Sequence, residues 1–431
     1  MKKLLLAGAG HAHIGLLRRL SNERADDAIF INTDVTLITE QPQTIYSGML
    51  PGWMAGHYQL DDICIDVKSL CLRAGVRFVQ RPIVKVDATS RTVITSGNKP
   101  CGAGYGCYYN YDYDVLSLNT GADTNLDWLE TNKRHRFDKE IADKEGIDKE
   151  STDKENIYKQ TSDTKGVIAI RPLHYFARQW QQIIAAAKQT THYRLAIVGA
   201  GAAAMELVMA AQVILQQIHP SHQAYLVCGE HLLSGFDNRF RKRVIGQLKR
   251  HDIEVVFARA IGFAEGRLLL SDSSSTSSFE HSSQQSSQTS LPVDAVIAAT
   301  GVTGSAWTAH TDIATIDNGF IAVNRVQQST SHPNVFAVGD VCTRVDQDMA
   351  HSGVHAVFGG IVEADNLLAY LADEPLQSYE PLQSYEPKKR TLYLLSCGDK
   401  YAIGSWGKYS LQGRWVWTLK RYIDKRFINA K

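Results

Sequence analysis

Several features that would assign this chain of 431 residues to a common class are missing or scarce. Its seven cysteines include no C-x-x-C pair and no spacing typical of a metal site, which argues against a disulfide scaffold or a structural zinc and suits a reducing compartment. Basic and acidic residues number 46 and 45, and this balance gives no reason to expect a nucleic acid as a partner.

Long hydrophobic runs are also absent. No segment has about 18 uninterrupted apolar residues, because the nearest run, residues 195–211, contains Glu206 and two glycines. The apolar stretch at residues 4–6 is too short for a signal peptide. We therefore expect no membrane-spanning helix and interpret residues 3–7 as the first strand of a cytoplasmic protein.

A glycine turn follows this strand and organises the rest of the prediction. Gly8 and Gly10 predict a tight turn, and residues 12–20 have the spacing of an amphipathic helix. A turn without side chains allows a pyrophosphate to approach the unpaired N–H groups at the start of a helix. The segment therefore predicts a dinucleotide site.

Two residues extend or modify this motif. Residues 35–39 predict the second strand, and the carboxylate of Glu40 at its end can accept hydrogen bonds from both hydroxyls of an adenosine ribose. His13 stands where G-x-G-x-x-G has its third glycine, and it counts among the candidate cofactor-binding residues.

The strand–turn–helix pattern recurs at residues 195–206, with Gly199 and Gly201 in the turn. Two such elements in one chain predict two dinucleotide-binding folds and two dinucleotides. Glu206 can reach toward a nicotinamide amide or a nearby water, or its position has no functional meaning. No arginine pair follows the next strand, residues 224–228, so NADH is favoured over NADPH.

Three strand ends carry further signals. Two strands end in Thr-Gly, at Gly121 and Gly301, where we expect the chain to pass between domains. A third ends in Gly-Asp, and its Asp340 is suited to bind a ribityl hydroxyl of FAD. Residues 351–371 predict a helix whose positive end would face the flavin.

These elements predict an α/β fold with two Rossmann-like dinucleotide-binding domains and a small α+β C-terminal region. The predicted units are an FAD domain at 1–121 and 302–345, an NAD(P)H domain at 122–301 and a C-terminal region at 346–431. A charged segment at 130–165 and a Ser-rich segment at 271–290 predict flexible insertions in the NAD(P)H domain.

The C-terminal residues 414–428 predict an amphipathic helix. One face carries a set of apolar residues, namely Trp415, Leu419, Tyr422, Ile423 and Phe427. We expect this face to pack on the protein itself, and contact with a membrane surface is the alternative.

With GAGHAH at 8–13, IYSGMLPGWMAGHY at 45–58 and FAVGD at 336–340, the chain resembles the FAD-dependent pyridine nucleotide-disulfide oxidoreductases. Within these it is similar to relatives of type II NADH dehydrogenases and sulfide:quinone oxidoreductases. The segment 45–58 and the ending at 398–427 also resemble a bacterial subgroup that is sometimes fused to, or associated with, selenophosphate synthetase.

The resemblance implies two sets of cofactor-binding residues. FAD would be held by Gly8, Gly10, Glu40, Gly121 and Asp340, and the nicotinamide nucleotide by Gly199, Gly201, Glu206 and Gly301. It implies hydride transfer from NADH to FAD and electron transfer to a quinone-like or other acceptor, with no catalytic residue assigned. Further predicted partners are a second copy of the chain, selenophosphate synthetase and, through residues 414–428, the inner face of the membrane.

Departures from the family pattern leave alternatives open. The loop at 41–53 lacks the two cysteines that dithiol-reducing flavoenzymes carry beside the flavin, so a disulfide relay is excluded there. Sulfide oxidation needs a cysteine pair, for which Cys342 and Cys397 are the only late candidates. The remaining alternatives are a catalytically idle flavin-binding scaffold or regulator linked to selenium metabolism and a ferredoxin-type reductase.

Overall fold

The computed structural model describes residues 1–23, 32–101, 105–129, 166–272, 289–372, 382–388 and 390–430. The charged insertion predicted at 130–165 lies outside these residues, as does most of the Ser-rich loop predicted at 271–290.

Within the described ranges the helices are α1 (His11–Glu23), α2 (Leu50–Met54), α3 (Val67–Arg73), α4 (Leu173–Ala187), α5 (Ala202–Ile218), α6 (Asn238–Arg250), α7 (Gly353–Ala372) and α8 (Arg414–Asn429). The strands are β1 (Lys2–Ala7), β2 (Thr33–Thr39), β3 (Gln43–Ile45), β4 (Cys64–Asp66), β5 (Arg77–Gln80), β6 (Ile83–Asp87), β7 (Thr92–Cys101), β8 (Tyr105–Asp112), β9 (Val115–Leu118), β10 (Asp123–Thr124), β11 (Val167–Ala169), β12 (Arg194–Val198), β13 (Gln223–Cys228), β14 (Glu254–Ala264), β15 (Arg267–Asp272), β16 (Thr289–Pro292), β17 (Ala295–Ala298), β18 (Val302–Thr303), β19 (Ile321–Val323), β20 (Val335–Ala337), β21 (Cys342–Arg344), β22 (Leu392–Ser396), β23 (Ala402–Trp406) and β24 (Tyr409–Gly413).

Five parallel strands form the first large sheet, in the order β20-β9-β1-β2-β5. Residues 4–7 of β1 are all buried, as expected for a parallel strand that is covered on both faces. Helix α7 lies so close to α1 that a Cβ on Gly360 would be 2.6 Å from Ala12 Cα. The glycine therefore allows the two helices to pack backbone against backbone.

The second large sheet has the order β11-β17-β12-β13-β14-β15-β16. Its first five strands are parallel, and the β15–β16 hairpin extends it with antiparallel pairing. Helix α5 follows β12 and buries Met205 and Val208 in the same cluster as Ile197 of β12. Each large sheet thus contains a strand that leads through a glycine turn into a helix.

The chain crosses between the two sheets twice. The short strands β10 and β18 pair at these crossings. Strand β10 begins two residues after Gly121, and β18 begins directly after Gly301. This topology confirms the predicted α/β class with two Rossmann-like units. The domain boundaries themselves stay a prediction.

The C-terminal segment adds an antiparallel sheet, β22-β23-β24, and helix α8. The loop between β22 and β23 contacts the second unit, because a Cβ on Gly398 would be 2.6 Å from the Met209 carbonyl oxygen of α5. None of the helices in the described ranges combines the length and the apolar character needed to cross a bilayer.

Candidate functional site: two glycine turns and a buried acidic cluster

The first glycine turn closes on the end of β9. Gly8 has a φ of +92°, and a Cβ there would be 2.5 Å from the Asn119 carbonyl oxygen. A Cβ on Gly10 would overlap Asn119 Oδ1. The Asn119 side-chain amide donates to the Val338 carbonyl oxygen (2.6 Å), just before the Gly-Asp pair. Asn119 therefore links the first glycine turn to the segment that carries Asp340. The sequence alone does not indicate this role.

Asp340 has one carboxylate oxygen with a partner and one without. Arg171 donates to its Oδ2 at 2.5 Å, and this ion pair joins the segment before α4 to the first unit. Its Oδ1 is buried and has no hydrogen-bond partner among the described residues. Buried polar atoms normally have a partner, so this oxygen fits a hydroxyl of a bound ligand. The sequence reasoning did not identify Arg171.

Glu40 lies at the end of β2, as predicted, and two residues of α4 contact it. Tyr175 donates its hydroxyl proton to Oε1 (2.9 Å), and His174 Nε2 is 3.5 Å from Oε2. Burial raises the pKa of Glu40, but His174 and the hydrogen bond from Tyr175 outweigh burial and leave the pKa below its usual value. Glu40 is therefore an ionised acceptor at neutral pH.

The other first-unit glycine faces free space. Gly121 has a φ of +78°, and no described atom lies within 4 Å of the position where its Cβ would be. The tight turn at Gly8 and Gly10, the acceptor Glu40 and the orphaned Asp340 oxygen together fit the diphosphate, the ribose and the ribityl chain of FAD.

His13 lies beneath the first turn rather than on its surface. Its side chain is fully buried, and Nδ1 is 2.6 Å from the Gly8 carbonyl oxygen. The sequence predicts His13 as a cofactor-binding residue. In the structure its imidazole contacts the turn through this carbonyl group. Any effect on a bound nucleotide would therefore pass through the backbone of Gly8.

The second glycine turn has the same closure with different surroundings. Gly199 has a φ of +153°, and a Cβ there would overlap the Ala299 carbonyl oxygen. No described atom lies within 4 Å of a Cβ position on Gly201 or Gly301, so both glycines leave room beside the start of α5. This free backbone is what close approach of a second dinucleotide requires.

Glu206, on the second turn of α5, contacts the C-terminal sheet. Its Oε1 accepts a hydrogen bond from the Ser396 backbone N–H (2.7 Å). Burial raises the pKa of Glu206 to about 7, against the opposing effect of Lys420. The site therefore contains a carboxyl group that exchanges its proton near neutral pH.

Helix α8 places a charged pair beside Glu206. Lys420 donates to Asp424 Oδ2 (2.8 Å) and to the Gly48 carbonyl oxygen (2.6 Å). Tyr46 donates its hydroxyl proton to Asp424 Oδ1 (3.2 Å). Burial raises the pKa of Asp424, although Lys420 and Tyr46 oppose this effect. The helix thereby holds, against the loop after β3, two charged groups that act on Glu206.

This orientation of α8 makes the expected packing of its apolar face wrong. The buried residues of the helix are Val416, Lys420 and Asp424. Its exposed apolar residues are Trp415, Leu419, Tyr422 and Ile423. Phe427 alone of the predicted face packs inward, stacked on Tyr46 at 4.7 Å. The charged pair can face the protein because each charge has a hydrogen-bonded partner there.

The candidate cysteines for sulfide chemistry are buried thiols. Cys342 donates to the Ala337 carbonyl oxygen at 3.2 Å, and Cys397 is also buried. Burial raises the pKa of both thiols well above the usual value, so neither is a ready nucleophile. Cys107, on β8, is disulfide-bonded, which the cysteine spacing did not predict.

Comparison with known proteins agrees with the two-turn geometry. Residues 2–357 match the pyridine nucleotide-disulphide oxidoreductase family. An NADH oxidase of Lactococcus lactis subsp. cremoris is 30% identical over 181 residues, which are 40% of this chain and 37% of that protein. The chain spans only 31% to 37% of the first curated relatives that it matches.

Two solved structures share the fold over nearly the whole chain. The sulfide:quinone oxidoreductase from Aquifex aeolicus superimposes with a TM-score of 0.71 at 14% identity, covering 100% of this chain and 92% of that one. NDH2 from Plasmodium falciparum in complex with NADH gives 0.74 at 12% identity, covering 99% and 96%. At such identities the likeness shows the fold alone.

The family match covers both glycine turns, both crossings between the sheets and the Gly-Asp strand end. The resemblance inferred from the motifs is thereby confirmed: this chain belongs to the pyridine nucleotide-disulphide oxidoreductase family.

Proposed function

We propose that the protein is an FAD-dependent oxidoreductase that takes a hydride from NADH and passes the electrons to a quinone-like acceptor. The observation that carries this proposal is the pair of glycine turns, each closed on a strand-end carbonyl oxygen, with an orphaned Asp340 oxygen beside the first. When bound, FAD would supply the two-electron chemistry that side chains lack.

The residues divide between the two nucleotides. Gly8 and Gly10 would hold the FAD diphosphate, Glu40 its ribose and Asp340 its ribityl chain, with Gly121 leaving room beside them. Gly199, Gly201 and Gly301 would hold the nicotinamide nucleotide at the start of α5. Glu206, expected in the same set, is assigned to the acceptor instead, because its Oε1 already accepts a hydrogen bond from the Ser396 backbone N–H. We keep NADH ahead of NADPH because the segment after β13 supplies no arginine pair for a 2′-phosphate.

The α7 helix would favour the reduced cofactor. It starts at Gly353, where a Cβ would be 4.0 Å from His11 Cε1 and from Ser47 Oγ, so its positive end lies beside the first glycine turn and the loop after β3. A helix start stabilises nearby negative charge. We assign no acid or base to the hydride step, because that step itself requires no proton transfer.

The cluster around Glu206 supports a quinone-like acceptor. Reduction of a quinone by NADH consumes one proton from the medium, in addition to the hydride. Glu206 exchanges its proton near neutral pH, and Lys420 and Asp424 face it from α8. We infer that Glu206 holds the proton that the reduced acceptor takes up.

The exposed face of α8 supports contact with a membrane, where quinones dissolve. Trp415 and Tyr422 are 56% and 62% exposed, and Trp406, Tyr409 and Leu411 of β23 and β24 are exposed as well. Aromatic residues next to lysine and arginine are typical of helices that lie in a membrane interface. Association with selenophosphate synthetase and dimerisation stay predictions.

Anaerobic mixing of the purified protein with NADH tests the proposal. We expect a yellow protein whose flavin absorbance bleaches with NADH, more slowly with NADPH, and returns when a soluble quinone is added. A protein that binds FAD but is reduced by neither nucleotide would instead be a scaffold. Reoxidation by one-electron acceptors but not by quinones would contradict the proposed acceptor.

A further inference from the structure

A chain of buried polar side chains lies beneath the first glycine turn and has no part in the chemistry proposed above. It joins His13 on α1, Ser117 on β9 and Glu363 on α7. Each of these residues is at most 1% exposed. Polar groups at this depth are costly unless all of their hydrogen bonds are made.

The distances leave few arrangements for the protons. His13 Nδ1 is 2.6 Å from the Gly8 carbonyl oxygen, which can only accept, so Nδ1 carries a proton. Ser117 Oγ is 2.6 Å from His13 Nε2 and 2.7 Å from Glu363 Oε1. One hydroxyl proton cannot serve both contacts, so a further proton is required on Glu363 or on Nε2.

These two arrangements contain the same number of protons. In the neutral form, the protonated Glu363 donates to Ser117, and the Ser117 hydroxyl donates to Nε2. In the ionic form, Nε2–H donates to Ser117, and the hydroxyl donates to the Glu363 carboxylate. The forms interconvert when Glu363 gives its proton to Ser117 Oγ while the original hydroxyl proton moves to Nε2.

Burial favours the neutral form in the free protein. It raises the pKa of Glu363 to about 8 and lowers the pKa of His13 to about 4. An anion placed near His13 but farther from Glu363 would reverse this preference, because charges interact strongly where water is excluded.

We propose that binding of a dinucleotide diphosphate at the first glycine turn shifts this relay to its ionic form and places a positive charge on His13. The inference rests on the FAD site proposed above. His13 is bonded to the turn itself through Gly8, whereas Glu363 lies beyond Ser117, so the positive charge forms on the side of the diphosphate. This would give a function to a histidine at the position of the third glycine.

The Glu363→Gln variant separates a relay from a merely structural network. A glutamine amide can donate to Ser117 and preserve the neutral chain, but it cannot release a proton. The experiment compares infrared difference spectra of flavin-free full-length protein before and after FAD addition. We expect wild type to lose a protonated-carboxyl band that is missing in Glu363→Gln.

FAD affinity provides the second readout. A hydrogen-bonded charge contributes enough that Glu363→Gln should bind FAD on the order of tenfold more weakly. Asp365→Asn is the matched control, because Asp365 lies two residues away on α7 and pairs with Arg19 instead. It should keep both the band change and the affinity of wild type.

A wild-type carboxyl band that survives FAD binding would overturn the relay, as would Glu363→Gln protein with wild-type FAD affinity. If that variant fails to fold, Ser117→Ala interrupts the same chain and should also abolish the band change. Wild type that binds no FAD at all would remove the proposed function, whereas wild type that binds FAD without this band change would remove only the relay.

Discussion

The two glycine turns share a backbone design but differ in what supports them. In each, the first glycine has positive φ, and a Cβ would collide with the carbonyl group that ends a neighbouring strand, at Asn119 or Ala299. Beneath the first turn lie the polar side chains of His13 and Ser117. Beneath the second lie Ala204 and other small or apolar residues.

This difference fits the two proposed tasks, FAD binding at the first turn and NADH binding at the second. A prosthetic group that stays bound gains from a support that responds electrostatically to its diphosphate. A nucleotide that enters and leaves at every turnover needs only an open backbone at the start of a helix. The comparison therefore predicts that damage to the two turns should have separable consequences.

The largest expected effects come from filling each turn. Gly8→Ala places a Cβ 2.5 Å from backbone atoms at a φ of +92°, so we expect protein without bound FAD. Gly199→Ala should retain FAD and lose most of its reduction by NADH. Flavin absorbance after purification and after anaerobic NADH addition measures both.

A helix glycine supplies the control for these two variants. Gly15 is on α1, with no described atom within 4 Å of its Cβ position, so Gly15→Ala should keep FAD and gain about 0.5–1 kcal/mol of stability. If Gly199→Ala also lost its flavin, the two turns would not act independently, and the comparison would fail.

Features formed by neighbouring residues could be predicted from the sequence, whereas contacts between residues far apart along the chain could not. The glycine turns and their flanking strands are local patterns, and they predicted the fold and its two strand–turn–helix elements. The partners that complete the first site are far away in sequence. Asn119 and Arg171 meet the first-turn region from other segments, and one sequence contains no pairing information for such contacts.

Helix α8 shows a second limit. Its periodicity correctly predicts a helix with one apolar face, and a rule that buries apolar faces then gives the wrong orientation. The structure buries Lys420 and Asp424 because they bond each other, Gly48 and Tyr46. Periodicity cannot reveal Gly48 and Tyr46 as partners, since they lie more than 370 residues away along the chain.

The next prediction concerns Glu206, which follows the second glycine turn on α5. Glu206 is protonated below its pKa of about 7 and ionised above it, so the rate of acceptor reduction should fall as pH rises through 7. Lys420 and Asp424 are the charged groups that face it. Glu206→Gln should reduce acceptor turnover about tenfold or more and remove this pH dependence.

Stopped-flow measurement of the two half-reactions checks this result. Flavin reduction by NADH should change little in Glu206→Gln, because the hydride step needs no proton. Glu254→Gln changes an exposed glutamate at the start of β14 and should leave both half-reactions unchanged. An acceptor half-reaction with the same pH profile in Glu206→Gln and wild type would assign the proton to another group.

The smallest expected effect concerns the surface of α8, which lies outside both turns. Replacing Trp415 and Tyr422 by alanine removes two aromatic groups, and vesicle binding should weaken roughly three- to tenfold. Leu72→Ala is the control, since Leu72 is an exposed apolar residue (82%) on α3 that belongs to neither α8 nor β23 and β24. Cosedimentation with lipid vesicles measures the partition. Unchanged partition of the double variant would show that this face does not contact the membrane. Bleaching of the flavin by NADH in solution should be equal in wild type and both variants, because neither glycine turn includes these residues.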